Sequence, residues 1–483
     1  MVETMRTISR RSLLAGSLAA SIEAATPSPN ILYILADDLG WGDLSCYNPS
    51  SAIPTPNLDR FATQGVRFTD MHSPSSVCTP TRYGILTGRY CWRTQLKKGV
   101  LWGYSPNLIE PGRLTVPALL QKYGYTTAGI GKWHLGLGTA EKVDYSGRFS
   151  PGPLDHGFDS YFGIPASLDM EPYVYIDNDH AFERPTGTTP GQNSPRGVFW
   201  RPGPIAPGFK IEEVLPTLEQ RAVHFIATRR EARKPFFLYL PLTAPHTPWV
   251  PGKAFRGRSK AGDYGDFVAQ TDAVIGAVLG ALDENKLSSN TLVFITSDNG
   301  AHWTPDDQQR FPHRANASWR GMKADIWEAG HRIPFLARWP GHIKPGGVSN
   351  QLGCLTDLAA TVADVIGAKL LRNAAEDSFS LVPALTGVKK GPVREAVVHH
   401  SSEGMFAIRQ GPWKLALGLG SGGFSEPKTL PADASGVTGQ LFNLASDPGE
   451  TTNLFKQEPK VIADLSALLN RYQLQGFSRP MRT

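Results

Sequence analysis

Short, continuous apolar runs alternate along the chain with longer segments whose apolar residues recur at helical spacing. Runs 30–36, 236–240 and 291–296 are each typical of a strand buried on both faces of a parallel sheet. Segments 214–230 and 264–285 carry apolar residues on one face, as covering helices do. This alternation predicts an α/β fold in which a large, mostly parallel sheet is flanked by helices.

Shorter segments continue the alternation of strands and helices, and a different pattern follows towards the C-terminus. The large domain continues with a predicted helix at 116–123, a strand at 126–130 and a last helix at 356–366. From about residue 393 the pattern predicts an antiparallel sheet with a closing helix, in the segments 396–399, 406–409, 413–417, 441–444 and 460–472. We therefore expect a large domain over residues 28–390 and a small α+β domain over 391–483.

One stretch of the large domain lacks regular periodicity. Residues 145–215 are rich in proline and glycine, above all 184–209, and predict long loops with little secondary structure of their own. Long loops of this kind commonly shape a binding cleft.

Composition narrows the class of protein. A chain of 483 residues with 41% hydrophobic content can bury one large core and still form a smaller domain. The formal net charge is +6, but the basic residues are scattered and form no block of the kind that binds nucleic acid. We expect a mild preference for anionic substrates and no nucleic-acid partner. Four cysteines do not make a disulfide framework, although a Cys46–Cys91 bridge stays open.

The amino terminus has the order of a signal peptide. Arg10 and Arg11 precede an apolar stretch, 12–20, and small residues follow it. Because the paired arginines resemble a twin-arginine signal, we expect residues 1–27 to engage the twin-arginine export machinery of a bacterium. The mature protein would then be periplasmic or extracellular; a disordered basic tail is the alternative. No apolar run reaches the ~18 residues of a membrane span, so we expect no stable membrane insertion.

Polar side chains follow two of the buried strands. Asp37 and Asp38 come directly after the first run, and Asp298 and Asn299 follow the run 291–296. Because the carboxyl ends of parallel strands share one edge of a sheet, we expect these side chains close together. Adjacent buried acids are costly unless a cation compensates them. Oxygen ligands without histidine or cysteine suit Ca²⁺, or Mg²⁺, rather than zinc.

A cysteine begins a short predicted helix. In Cys78-Thr79-Pro80-Thr81-Arg82, the proline sits where a first-turn proline is tolerated, so Cys78 is expected at a helix N-terminus with Arg82 one turn on. The free N–H groups and the helix dipole there stabilise negative charge. The alternative is a buried structural cysteine beside a surface arginine.

Three further basic residues follow strands. Lys132 and His134 come after strand 126–130, and they point the same way if that stretch stays extended. His246 leaves the strand at 236–240 between two prolines, which is a rigid placement for an imidazole. A solvated lysine and core histidines are the alternatives.

These stretches together resemble the type I sulfatases of the alkaline phosphatase superfamily. The signature of that family, Cys-x-Pro-x-Arg followed by Leu-Thr-Gly-Arg, stands at residues 78–89. Four other stretches are similar to family elements: Asp-Asp-Leu-Gly at 37–40, Gly-Lys-Trp-His-Leu-Gly at 131–136, Pro-His at 245–246, and Gly-Met-Lys with Glu-Ala-Gly-His-Arg-Ile-Pro within 321–334. The resemblance covers residues 30–475.

The resemblance implies a mechanism. A formylglycine-generating enzyme would oxidise Cys78 to formylglycine, whose hydrate attacks sulfur to give a covalent sulfo-enzyme. The family roles fall on six residues: Cys78 as nucleophile, Arg82 and Lys132 holding its hydrate, His134 as the base that releases sulfate, and His246 with Lys323 binding sulfate and assisting the departing oxygen. One Ca²⁺ would be bound by the modified Cys78 together with Asp37, Asp38, Asp298 and Asn299.

The resemblance also indicates where substrate binds. Loop 162–172 resembles the segment in which related sulfatases contact substrate, so the candidate substrate-binding residues are Ser167, Asp169, Lys132, His246 and Lys323. The stretch 167–179 is similar to bacterial relatives of the N-acetylgalactosamine-6-sulfatases. That similarity implies a 6-O-sulfated galacto-configured sugar, and more generally the resemblance implies a sulfated sugar or an aryl sulfate as substrate.

Two alternative functions stay open. A phosphodiesterase or phosphonate monoesterase would use the same modified cysteine. If Cys78 were never oxidised, the fold would serve as a sulfated-glycan-binding protein with little turnover. Phosphatase relatives that hold two zinc ions commonly have histidine where this chain has Asn299, which is evidence against them.

Overall fold

The computed structural model describes residues 28–388, 391–432, 434 and 436–480. The predicted signal peptide, residues 1–27, lies outside the described residues. The strands are β1 Asn30–Asp37, β2 Val66–Phe68, β3 Met71–His72, β4 Thr126–Lys132, β5 Ser160–Ile164, β6 Ile176–Asp177, β7 His180–Ala181, β8 Gly187–Thr189, β9 Gly203–Ile205, β10 Phe236–Pro245, β11 Thr291–Ser297, β12 Phe335–Arg338, β13 Gly347–Ser349, β14 Gly353–Cys354, β15 Val397–His400, β16 Phe406–Gln410, β17 Trp413–Ala416 and β18 Gln440–Asn443. The helices are α1 Pro56–Gln64, α2 Cys78–Thr87, α3 Val116–Lys122, α4 Val214–Ala227, α5 Gly262–Glu284, α6 Pro305–Arg310, α7 Glu328–His331, α8 Leu358–Val365, α9 Val382–Leu385 and α10 Pro459–Gln475.

A ten-stranded sheet forms the centre of the protein, in the order β13-β2-β12-β11-β1-β10-β4-β5-β6-β7. The five middle strands, β11 to β5 in that order, run parallel. All eight residues of β1 are buried, and Tyr33 pairs with Tyr239 on one side and Phe294 on the other. An uninterrupted apolar run is required at this position because both faces of the strand are covered. The predicted α/β class is therefore confirmed.

Two groups of helices cover this sheet. Helices α1, α4 and α5 pack together, and α2, α3 and α8 form the second group. Phe267, Val274, Val278 and Leu282 of α5 are buried, as their helical spacing predicts. Among the described residues, α5 is the one helix long and apolar enough to cross a membrane, but most of that stretch is buried inside the protein. Its apolar composition is therefore explained by packing in the core.

The C-terminal residues form a second, smaller sheet. Strands β15-β16-β17-β18 are antiparallel, and α10 packs on β16 and β17 with Leu465, Leu469 and Tyr472 buried. The predicted antiparallel sheet with a closing helix is confirmed. The connection between β17 and β18 contacts the large domain, where the Ile326 N–H donates to the Ser421 carbonyl at 2.8 Å.

The loop prediction for residues 145–215 is wrong at β5. This strand pairs parallel with β4, and two short antiparallel strands extend the sheet beyond it. Gly163 explains why a glycine-containing stretch pairs here, because a Cβ at this position would lie 1.7 Å from the Gly131 carbonyl oxygen. The rest of the segment has only strands of two or three residues.

The four cysteines are free thiols, so the Cys46–Cys91 bridge that the sequence left open is not formed. The Cys91 sulfur lies 3.8 Å from the Thr94 hydroxyl oxygen and 3.9 Å from the Leu96 carbonyl oxygen.

Candidate active site

The predicted site residues gather where the carboxyl ends of β1, β10, β11 and β4 meet the N-terminus of α2. A cavity of about 550 Å³ opens there, and seven predicted residues line it: Asp38, Cys78, His134, Ser167, Asp169, His246 and Lys323. The other five predicted residues, Asp37, Arg82, Lys132, Asp298 and Asn299, are fully buried. A larger cavity of about 690 Å³, which Asp70 and Arg409 help to line, contains none of the predicted residues.

Three carboxylates at this edge are each paired with a cation. The Lys132 ammonium donates to Asp37 Oδ2 at 2.7 Å, and the Lys323 ammonium lies 2.8 Å from Asp38 Oδ2. Arg82 donates to Asp298 Oδ2 from Nε at 3.1 Å and from NH2 at 2.8 Å. Without a further cation the three negative and three positive charges balance.

The carboxylates differ in how firmly they stay ionised. Burial favours the neutral acid, but Lys132, His246 and Arg82 outweigh it and hold the pKa of Asp37 well below its usual range. Lys323 and His246 likewise lower the pKa of Asp38 against burial. Burial and the neighbouring Asp37 carboxylate instead raise the pKa of Asp298 to about 6.

The oxygen atoms of this cluster fit a hard divalent cation. Asp37 Oδ1 and Asn299 Oδ1 are buried acceptors without a hydrogen-bond partner among the described residues. Ligand atoms of Asp37, Asp38, Cys78 and His246 all lie within 4.8 Å of one another. Unpaired buried carboxylate and amide oxygens are costly unless an ion or water satisfies them, and they are the ligand type that Ca²⁺ prefers. The donor set therefore fits the predicted metal.

Cys78 begins α2, as the first-turn proline predicts, and it is 3% exposed. Burial raises the pKa of its thiol to about 12, although Lys132 and Lys323 act in the opposite direction. The thiol is therefore neutral at physiological pH, and the unmodified side chain is a poor nucleophile because thiolate is the reactive form.

His134 is placed differently from the sequence-based expectation. Its φ of 58° lies in the left-handed region, so the chain turns after Lys132 instead of staying extended. The imidazole Nε2 lies 2.7 Å from the Leu101 carbonyl oxygen and donates to it, while Nδ1 is buried without a partner among the described residues. Burial, Lys132 and Arg82 keep the pKa of His134 well below its usual value. The site thus holds a neutral imidazole with a free lone pair.

The remaining predicted residues, Ser167, His246 and Asp169, also line the cavity. Ser167 Oγ lies 2.9 Å from the Lys132 ammonium and 3.3 Å from His246 Nε2. His246 Nδ1 lies 2.7 Å from the Thr247 carbonyl oxygen, to which it donates, so Nε2 faces Ser167 and, at 3.8 Å, Asp38 Oδ2. Asp169 accepts from Arg201 NH1 at 2.6 Å through Oδ2, and its Oδ1 is buried without a partner among the described residues.

Sequence reasoning missed several residues of the cavity wall, among them Trp102, Arg196, Arg201, His302 and Phe424. They come from loops without hydrophobic periodicity, and Phe424 comes from the connection between β17 and β18. The only sequence signal was the loop-rich character of residues 184–209, which predicts a cleft without identifying side chains.

Comparison with known proteins agrees with this geometry. The sulfatase family model matches residues 29–368. An N-acetylgalactosamine-6-O-sulfatase of Bacteroides thetaiotaomicron is 35% identical, over 91% of this chain and 92% of its own. Human arylsulfatase A is 36% identical, over 96% of this chain and 90% of its own.

Solved structures give the same result. One from Bacteroides thetaiotaomicron, described in connection with its metabolism of multiple glycosaminoglycans, has a TM-score of 0.81 at 32% identity and covers 93% of this chain and 100% of its own. A sulfatase from Pseudoalteromonas sp. has a TM-score of 0.74 at 27% identity and covers 92% of this chain and 90% of its own. The chain therefore belongs to the sulfatase family and is a sulfuric ester hydrolase.

Proposed function

We propose that this enzyme removes sulfate esters from carbohydrates through a formylglycine derived from Cys78, with one Ca²⁺ bound beside it. The observation that carries the proposal is the convergence of Cys78, three buried carboxylates and two lysines at one edge of the sheet, where Cys78, Asp38 and Lys323 line the cavity. Formylglycine supplies a hydrated aldehyde, one hydroxyl of which is the nucleophile and the other of which allows the aldehyde to re-form. The neutral thiol of Cys78 offers neither.

The chain's own residues would orient and activate that nucleophile. Arg82 and Lys132 each contact a carboxylate of the cluster, so their charges lie beside the nucleophile in fixed positions. His134 would act as the base that allows sulfate to leave. Its Nε2–H is engaged by the Leu101 carbonyl, so the lone pair of Nδ1 stays available for the proton.

Two residues would act on the sulfate ester itself. Lys323 carries its positive charge at the cavity wall, since Asp38 and the other nearby anionic groups raise its pKa against burial. His246 faces the cavity through Nε2 and would assist the departing oxygen. Positive groups fixed at the point where negative charge develops lower the barrier for ester cleavage.

The metal would be held by Asp37, Asp38, Asp298, Asn299 and the modified Cys78. A divalent cation would give the otherwise balanced cluster a net charge of +2, which favours binding of an anionic ester. When bound, the ion supplies Lewis-acid stabilisation of charge on the sulfate oxygens.

A sulfated sugar is the substrate class we propose, in particular a 6-O-sulfated galacto-configured sugar. One similar protein is named an N-acetylgalactosamine-6-O-sulfatase. The cavity of about 550 Å³ is large enough for a sugar, and Trp102 and Phe424, 49% and 46% exposed, line it. Exposed aromatic rings on a cavity wall provide flat apolar surfaces for sugar rings.

The test is a panel of sulfated mono- and oligosaccharides with an aryl sulfate and matched phosphate esters. We expect desulfation of at least one sugar, and kcat/KM for sulfate esters well above that for phosphate di- and monoesters. Faster cleavage of phosphodiesters or phosphonates would instead support a phosphodiesterase. Binding of sulfated glycans without turnover of any ester, by protein whose Cys78 is an intact thiol, would support a binding protein.

We also propose export and maturation partners for this chain. Residues 1–27 would direct it through the twin-arginine machinery to the periplasm or beyond, and a formylglycine-generating enzyme would oxidise Cys78. Expression of the full chain in a bacterium, followed by fractionation and N-terminal sequencing, tests the export. Loss of export when Arg10 and Arg11 are replaced by lysine would support it, and unchanged export would contradict it.

A further inference from the structure

We propose that the cavity contains a second anion site, built on Arg201, which binds a carboxylate or a second sulfate on the sugar next to the one being desulfated. The proposal rests on the proposed function and concerns the same cavity. It identifies the substrate as one that carries two anionic groups.

The guanidinium of Arg201 is held in place on one side. Its NH1 donates to Asp169 Oδ2 at 2.6 Å and to the Asp169 carbonyl at 3.1 Å. Its central carbon lies 4.9 Å from the ring centroids of both Trp102 and Phe199. A planar guanidinium anchored by an ion pair and two aromatic rings loses little further freedom when it binds a ligand.

The other edge of this guanidinium has no partner among the described residues. Nε and NH2 of Arg201 make no hydrogen bond or ion pair, and the side chain is 35% exposed on the cavity wall. This is the edge with which Arg93 binds both oxygens of Asp377 at 2.8 Å and with which Arg82 binds Asp298. Two parallel N–H groups match a carboxylate or a sulfate, so the free edge of Arg201 is preorganised for an oxyanion.

The cavity has more basic side chains than are needed to bind the sulfate ester that reacts. Lys323 and His246 already face the place proposed for the ester sulfate. A second arginine, Arg196, lines the same cavity and stacks on Trp249, with its Nε and NH2 occupied by Asp307. A substrate with only the reacting sulfate would leave the free edge of Arg201 facing water.

Asp169 adds a second recognition element beside Arg201. Its Oδ1 is buried and has no partner among the described residues, so it is an acceptor that a ligand hydroxyl can satisfy. Asp169 Oδ1 and the free edge of Arg201 together can bind a hydroxyl group that is adjacent to an oxyanion. Uronic acids and sulfated sugars have this pair of groups.

The experiment compares four substrates built on the sulfated sugar that the enzyme cleaves best. They are the monosaccharide, its disaccharide with a uronic acid, the same disaccharide with the carboxyl group reduced to an alcohol, and a disaccharide with a second sulfate. We expect kcat/KM for the uronate or the doubly sulfated disaccharide to exceed that of the reduced disaccharide by about tenfold or more, the value of a charge-assisted hydrogen-bonded pair. Which of the two is preferred identifies the source of the anion.

Variants assign that preference to Arg201. Arg201→Met should bring the ratio between anionic and reduced disaccharides close to one, and Arg201→Lys, which keeps the charge but loses the paired donors, should lower it severalfold. Arg229→Met, a surface arginine that stacks on Phe225, is the matched control and should leave the ratio unchanged. If Arg201→Met fails to fold, as judged by thermal melting, Arg201→Lys decides.

Either of two results would overturn the inference: a wild-type ratio near one for both anionic disaccharides, or a ratio that survives in folded Arg201 variants. Hydrolysis of an aryl sulfate in the same assay shows that the enzyme is active and separates this failure from a failure of the proposed function, in which none of the sugar substrates would be desulfated.

Discussion

At the scale of single residues, the environment of Cys78 predicts a covalent change. Burial raises the pKa of its thiol, so the unmodified side chain is a poor nucleophile, and the proposed mechanism places formylglycine at this position. We expect active protein to carry an aldehyde there, with a peptide mass about 18 Da below that of the thiol. Cys78→Ala should abolish turnover and leave thermal stability within about 1 kcal/mol of wild type. Peptide mass spectrometry that finds only cysteine in fully active enzyme would contradict the mechanism.

Replacing His134 and replacing Lys323 should impair different steps of the reaction. His134→Ala removes the proposed base for sulfate release, so an aryl sulfate should give a burst of phenol followed by turnover slowed by about 10² to 10⁴. Lys323→Ala removes a cation from the ester being cleaved, and should slow the first step without a burst. Rapid-mixing kinetics distinguishes these outcomes. Equal, burst-free losses in both variants would show that the roles are misassigned.

The unpaired oxygens of Asp37 and Asn299 predict a dependence on metal. Chelation should lower both activity and melting temperature, and Ca²⁺ should restore them, because an ion that binds only the folded state stabilises it. Asn299→Asp should retain the ion but reduce turnover, since it adds negative charge that faces the anionic ester. Stoichiometric zinc in fully active enzyme, measured by elemental analysis, would count against the calcium assignment.

At the scale of elements, the predictable part of this site is the part carried by periodic strands. Short, mostly apolar runs identified β1, β10 and β11, and the polar residues that follow such strands meet at one edge of the sheet. Cys78 was placed by its helix-start chemistry. The left-handed turn at His134 and the pairing of β5 escaped prediction because each depends on contacts between segments distant in sequence. The same holds for Arg201, whose loop has no local pattern.

The connection between β17 and β18 contacts the large domain at the cavity. Asp325, two residues after Lys323, accepts hydrogen bonds from the Phe424 N–H at 2.8 Å and the Ser425 N–H at 3.0 Å, and is fully buried. These bonds fix the β17–β18 connection against the loop that carries Lys323. The position of Phe424 on the cavity wall therefore depends on Asp325.

Replacing Asp325 with asparagine should affect both stability and substrate binding. Loss of the charge-assisted acceptor should cost about 1–3 kcal/mol in the free energy of unfolding and raise KM for sugar substrates more than for a small aryl sulfate. Asp272→Asn is the matched control. Asp272 is also buried and accepts from the Leu58 N–H at 2.8 Å, but it lies outside the cavity wall and should lower stability without changing KM. Equal changes in KM for both variants would show that Asp325 does not affect substrate binding by positioning Phe424.

At the scale of the whole molecule, a buried histidine cluster joins β3 and α7 of the large domain to β15 of the small sheet. His331 stacks on His399 at 3.7 Å, and His331 Nδ1 lies 3.0 Å from His72 Nδ1. Charged neighbours surround the cluster: Asp70, Glu328, Arg409 and Lys414. No sequence motif marks these residues, because they meet only when β15 packs beside β3 and α7.

This cluster predicts acid sensitivity of folding. Burial lowers the pKa of His72 to about 4 and those of His331 and His399 well below their usual value, so the folded state keeps them neutral. The unfolded chain binds more protons below about pH 6.5, and stability should therefore fall as pH drops from 6.5 towards 4, by about 1.4 kcal/mol per pH unit for each such group. Denaturant unfolding at a series of pH values measures the slope.

A variant isolates the contribution of the cluster. His399→Phe keeps a ring against His331 and should make the pH slope shallower by up to one proton, whereas the exposed His224→Phe should leave it unchanged. A slope identical to wild type in His399→Phe would mean that the acid sensitivity arises elsewhere.

Burial of Cys78 also limits the time during synthesis in which its sulfur can be oxidised. The residue is 3% exposed, and the cavity beside it is lined by segments as late in the chain as Phe424. An enzyme that must reach this sulfur has to act between the moment residue 78 is made and the moment the later segments pack around it. A molecule that folds first would remain an inert product with a native shape, and supplying the oxidising enzyme afterwards would convert the denatured chain but not the folded one. The yield of active enzyme in a cell therefore depends on the rate of oxidation of Cys78 relative to the rate of folding.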